Sequence, residues 1–180
     1  MRKIIESTLV SLDGVFEDPH IWATEYFDEE AEQFALELLL ASDAMLMGRR
    51  TYEFFAAAFP HQKGDYGRRI NAMRKYVFSN SLRKADWTNS SIVAGDVAVE
   101  AAKLKRQDGK DLVLYGHGQL AQTLLERELL DEIKFWIHPR FVGRGASLFR
   151  EGNQMNLKLA ATRTLSTGVV VLTYQRVTSS

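Results

Sequence analysis

The chain contains no cysteine among its 180 residues, which excludes disulfides, thiolate metal sites and cysteine nucleophiles together. It has no net charge either. Lys plus Arg number 23 and Asp plus Glu number 23, so no overall basic field draws in nucleic acid or an anionic membrane surface, and any anion site has to be local. No apolar run approaches the roughly 18 residues that a spanning helix needs. At the start of the chain, Glu6 and Asp13 break up the stretch around Ile4 to Ser11 before a signal-peptide hydrophobic region can form. The expected compartment is the cytoplasm, with neither a membrane nor a nucleic acid as partner. The four histidines, His20, His61, His117 and His138, lack ligand-like spacing, so no metal is expected. Internal repeats, low-complexity tracts and linkers are also missing, and with 46% hydrophobic and 26% charged residues the chain reads as one globular domain over residues 1–180.

What is present is an alternation of strand and helix signals. Residues 3–10 are rich in Ile, Thr, Leu and Val, and Asp13-Gly14 supplies the turn that ends such a strand. From Asp28 to Leu40 apolar positions recur at steps of three and four, opposite a row of glutamates, which predicts an amphipathic helix. Short apolar runs at 44–47, 75–78, 91–94, 112–115 and 133–137 predict further strands. Helices are predicted from Thr51, after Asp96 as N-cap, and after Gly118. Residues 157–177 carry two β-rich runs around Ser166-Thr167-Gly168, a closing antiparallel hairpin. The polar stretch from His61 to Arg69 is expected to be a mobile surface loop. This pattern implies an α/β fold with a mostly parallel central sheet, helices on both faces and an antiparallel edge.

Three of the strand-ending turns carry phosphate-type chemistry. Gly116-His117-Gly118-Gln119-Leu120-Ala121 fits G-x-G-x-x-A between a strand and a helix, where backbone N–H groups can face a pyrophosphate and glycine permits close approach. Gly48-Arg49-Arg50-Thr51 places two forked guanidiniums and a hydroxyl at another helix start. Ser79-Asn80-Ser81 ends a third strand. In a parallel sheet all three turns fall along one edge, the edge at which such folds bind nucleotides. The strand after the Gly116 unit runs into His138-Pro139-Arg140 and has no terminal acid to hold a ribose 2′-hydroxyl, which together with the arginines favours NADPH over NADH. Asp13 reads either as a carboxylate near the reacting atoms or as an ordinary turn aspartate. Trp22, Tyr26 and Phe27 read either as an aromatic wall for a planar substrate or as packing.

These segments, together with Ser11-Leu12-Asp13-Gly14, Leu129-Leu130-Asp131-Glu132 and Pro139 to Gly143-Arg144-Gly145, resemble the dihydrofolate reductase-like superfamily, in particular the reductase domain of riboflavin biosynthesis and its stand-alone bacterial relatives. The resemblance runs the length of the chain. It implies a three-layer dihydrofolate reductase-like fold and an NADPH-dependent reductase of a small heterocyclic substrate, similar to 5-amino-6-(5-phosphoribosylamino)uracil reductase. It also implies roles. Gly48, Arg49, Arg50 and Thr51 would hold cofactor phosphates, Ser79, Asn80 and Ser81 the adenosine 2′-phosphate region, and Gly116, His117, Gly118 and Gln119 the pyrophosphate and nicotinamide side. Ser11, Asp13, Gly14 and Trp22 would border the substrate, with Asp13 as the catalytic carboxylate. A homodimer is expected through the strand around Phe135-Trp136 and the terminal hairpin. A dihydrofolate reductase and a non-catalytic nucleotide- or heterocycle-binding protein on the same fold are the alternatives.

Overall fold

A computed structural model describes residues 1–148 and 155–177. The strands are β1 (Ile4–Ser11), β2 (Ser42–Gly48), β3 (Arg74–Phe78), β4 (Ser90–Val93), β5 (Asp111–Tyr115), β6 (Glu132–His138), β7 (Leu157–Thr164) and β8 (Val170–Arg176). The helices are α1 (Pro19–Trp22), α2 (Glu29–Ala41), α3 (Arg49–Ala58), α4 (Gly64–Ala72), α5 (Val97–Arg106) and α6 (Gln119–Glu126), with a single 3₁₀ turn at Thr24–Tyr26. Among the described residues one sheet holds eight strands, in the order β4-β3-β2-β5-β1-β6-β8-β7. β1 to β6 pair in parallel, while β8 joins β6 and β7 antiparallel.

The two-residue period of the strands sorts their side chains onto two faces. Ala44 and Leu46 of β2 join Ile4, Leu112 and Leu114 beneath Leu104 of α5 and Leu120, Ala121 and Leu124 of α6. Met45 and Met47 point the other way, into a cluster with Ile5, Val77 and Val113 beneath α2, α3 and α4. Each fully buried Leu, Ile or Met contributes roughly 1.5–3 kcal/mol, and both faces of the parallel strands are covered, which is why these strands read as continuous apolar runs rather than alternating ones. The predicted cap forms, Asp96 accepting from Val99 N at 2.9 Å, and Asp28 caps α2 in the same way by accepting from Ala31 N at 3.0 Å. Among the described residues no helix is long and apolar enough to cross a membrane.

The predicted loop over 61–69 is largely helical instead. Residues 64–72 form α4, with Ile70 fully buried and Arg69 donating to the carbonyls of Leu39 and Ser42 at the end of α2. Two glycines and a high polar content hide this helix from propensity reasoning. Gly67 is there for packing, since a Cβ at that position would lie 2.7 Å from the Cβ of Gln62.

The strand order creates a switch point. From β2 the chain moves outward to β3 and β4, whereas from β5 it passes through α6 to β6 on the far side of β1. β2 and β5 are neighbours, and the helices that follow them pack on opposite faces of the sheet. A crevice therefore opens beyond their C-terminal ends, the usual ligand position in open α/β sheets.

Candidate functional site

Gly48 ends β2 and Gly116 and Gly118 follow β5, so both sides of this crevice are glycine turns that feed helices. Neither α3 nor α6 has a side-chain N-cap or an acidic residue in its first turn. Their leading N–H groups, with the positive ends of two helix dipoles, are left for an anion. Gly116 has φ +81°, and a Cβ placed on Gly116 or Gly118 would meet nothing within 4 Å. That open space lets a ligand approach the backbone closely.

The crevice is a cleft of about 530 Å³ whose lining includes Gly48, Arg49, Arg50, Thr51, Ser79, Asn80, Gly116, Gly118 and Gln119. Three turns separated widely in sequence meet there. Of the residues predicted for the cofactor, only Ser81 and His117 lie outside the lining. Ser81 is one bond away, its Oγ accepting from Arg49 Nη1 at 3.0 Å. The Ser79–Ser81 turn is built locally, with Ser79 Oγ accepting from Leu82 N at 3.0 Å, and Asn80 Oδ1 ties it to the turn after β4 by accepting from Gly95 N at 2.9 Å. His117 is turned away from the cleft, its Nδ1 lying 2.8 Å from Glu6 Oε1.

The segment after β1 makes a different structure. Asp13 accepts from Ser11 Oγ at 2.6 Å, Val142 N at 3.1 Å and Gly143 N at 2.7 Å. These bonds, the Ser11 hydroxyl first and then the two amides, hold its carboxyl down at about 2. Asp13 is therefore a clamp between the β1 loop and residues 142–143, and it stays ionised rather than acting as a proton store. Ser11 is buried and also accepts from Val15 N, and Gly14 turns the chain with φ +84°. Trp22 is buried, with its Nε1 donating to Glu17 O at 2.9 Å. It lines a second cleft of about 490 Å³ with Glu17, Ile21, Arg140, Phe141 and Arg144. The two clefts adjoin, because Arg50 of the first lies 3.6 Å from Glu17 of the second.

The profile of the RibD C-terminal domain matches residues 2–171. The chain belongs to the RibD C-terminal domain family. It is 32% identical over 180 residues to the uncharacterized protein YyaP of Bacillus subtilis (strain 168), covering 96% of this chain and 94% of that one. Among solved structures it is similar to a candidate riboflavin biosynthesis protein from Shewanella sp. PV-4, with a TM-score of 0.78 and 20% identity over 98% of this chain and 99% of that one. It is also similar to the diaminohydroxyphosphoribosylaminopyrimidine deaminase/5-amino-6-(5-phosphoribosylamino)uracil reductase of Thermotoga maritima, with a TM-score of 0.67 and 13% identity; there it covers 98% of its own length and 57% of the longer chain. At these identities the solved structures establish the shared fold.

Within this RibD C-terminal domain, sequence reasoning missed five residues at or beside the site. Val93, Gly95 and Val97 close the β4 side of the larger cleft, and Gly95-Asp96 carried the same signal as the other turns, a glycine directly after a strand. Glu6 stood out as an acid inside an apolar strand. Tyr115, at the end of β5, lines the same cleft, and burial first, then the neighbouring Tyr66 hydroxyl, raises its phenol well above the usual range. No group of three or more His, Cys, Asp or Glu side chains among the described residues is placed to hold a metal.

Proposed function

We propose that the protein is an NADPH-dependent reductase of a small heterocyclic substrate, akin in chemistry to 5-amino-6-(5-phosphoribosylamino)uracil reductase. The observation that carries this reading is the convergence of the turns after β2, β3 and β5 on one cleft at the switch point of the sheet. The bound dinucleotide would supply the hydride. The uncapped amides of α3 and α6 bind the phosphates, and Arg49 with the Ser79–Ser81 turn selects the 2′-phosphate, which a forked guanidinium matches. Asp13 remains an anion and fixes residues 142–143 as one wall of the neighbouring cleft, where Trp22, Ile21 and Phe141 present apolar surface to a planar substrate and Arg144 offers a charge. Rate acceleration comes chiefly from holding the two reactants together.

The same reading makes the protein a cytoplasmic homodimer. Phe135 and Leu172 sit opposite one another on β6 and β8 and remain half-buried, whereas their neighbours Trp136 and Val171 are buried on the other face with Ala31 and Ala35 of α2.

The test is a screen of reducible pterins, pyrimidines and quinones with purified protein, following NADPH consumption. Turnover of at least one, with a strong preference for NADPH over NADH, is expected. Cofactor bound and never consumed across the panel would leave a binding protein in place of a reductase.

A further inference from the structure

Glu6 is a fully buried acid in the middle of β1. Its Oε1 accepts from Thr8 Oγ1 at 2.7 Å and meets His117 Nδ1 at 2.8 Å, while Oε2 has no hydrogen-bond partner among the described residues. A carboxyl so placed is a poor stabiliser. Removing it from water carries a large desolvation cost, which an incomplete set of partners does not return. Its contacts point elsewhere, to the middle residue of the glycine cradle.

His117 stands between two glycines that line the larger cleft, and its own side chain does not line it. The imidazole packs edge-on to Phe16, with ring centroids 5.4 Å apart, and lies tilted against Phe135 at 6.3 Å. The backbone around it is tied twice more: Gly116 N donates to Ser7 O at 3.1 Å, and Gln122 Nε2 donates to His117 O at 2.9 Å. The side chain is drawn behind the sheet edge, the Gly116 amide is held by β1, and α6 opens from Gly118 with no side-chain cap on its leading amides.

We infer that Glu6 and His117 are a positioning pair that presets the Gly116–Gly118 cradle for dinucleotide phosphates, an inference that rests on the NADPH-binding role proposed above. Glycines on both sides give the loop more freedom than any other residue would, and ordering them costs conformational entropy. An anchor that takes up this cost during folding spares it at binding. Glu6 thus serves affinity while touching no ligand, and His117 serves through its tether and not through a contact with phosphate.

The test is a double-mutant cycle of Glu6→Met and His117→Gln, read by calorimetric titration with NADPH and by thermal melting of the unliganded proteins. Each single variant is expected to bind NADPH about tenfold more weakly, and the pair together no more weakly than the worse single, the signature of residues acting as a unit. Unliganded melting temperatures should stay close to wild type. NADPH affinity unchanged in Glu6→Met, tighter binding by the released imidazole, or losses that multiply in the double variant would each overturn the inference. If Glu6→Met fails to fold, His117→Gln decides alone: weaker NADPH binding supports the pair, and unchanged binding overturns it. Wild type that binds no NADPH would remove the proposed function together with this inference. Wild type that binds, with variants that bind equally well, would remove the inference alone.

Discussion

Arg49 Nη1 donates to Ser81 Oγ at 3.0 Å, joining the first residue of α3 to the turn that ends β3. The bond brings two of the three polar turns into direct contact at the rim of the cleft. It also leaves the guanidinium half-exposed and able to turn its remaining donors to a phosphate, since its other partner is the exposed Glu53 at 2.7 Å.

Arg49→Ala is therefore expected to weaken NADPH binding about tenfold, the scale of one charge-assisted hydrogen bond or somewhat more. NADH binding should change much less. Titration of the variant with both cofactors checks this. Equal losses would place the guanidinium on the pyrophosphate instead of the 2′-phosphate.

Asp13 gives a pH signature. Its carboxyl is lowered from 3.8 to about 2 by Ser11, Val142 and Gly143, so its contribution to stability is fully present above 3.8 and is lost as pH falls through about 2. Asp13→Asn should lower the urea midpoint at neutral pH, and the gap to wild type should close as the acid limit is approached. Turnover between pH 5 and 8 should show no limb belonging to Asp13, because the group does not titrate in that window.

Lys75 supplies a second, unrelated signature. It is almost fully buried, and its Nζ donates to the carbonyls of Asn71, Met73 and Thr88 while lying 4.2 Å from the centroid of the Trp87 ring. Lys75→Met leaves those carbonyls without a donor and is expected to cost roughly 2–4 kcal/mol in chemical denaturation. Burial lowers the ammonium from 10.5 to about 8. Between these values the unfolded chain holds the proton and the folded one has released it, so wild-type stability relative to the variant should rise with pH across that interval.

How much of this could be read from the residues depends on the range of the interactions. The strands and the glycine turns were legible because their signals are local: a two-residue period, or a glycine at the end of an apolar run. The meeting of those turns was legible too, since parallel strands place their C-terminal ends on one edge. The direction of single side chains was not. His117 turns toward an acid 111 positions away, and Asp13 is saturated by amides 129 and 130 positions away. No window of sequence contains both partners. α4 escaped for another reason, because tertiary packing at Gly67 and Ile70 overrides a weak intrinsic preference for helix.

The neighbouring cleft is expected to act on substrate alone. Phe141→Ala removes an exposed ring from its lining, and steady-state kinetics should show a raised substrate KM with NADPH affinity as in wild type. A matching loss of NADPH affinity would mean that the two clefts are one site.

A crystal structure of the protein with NADPH decides where the dinucleotide lies. The 2′-phosphate is expected beside Arg49 and the Ser79–Ser81 turn, with the pyrophosphate against the uncapped start of α6 at Gly118 and Gln119. Density for the dinucleotide anywhere else on the molecule, or a cleft that stays empty at saturating NADPH, would contradict this placement.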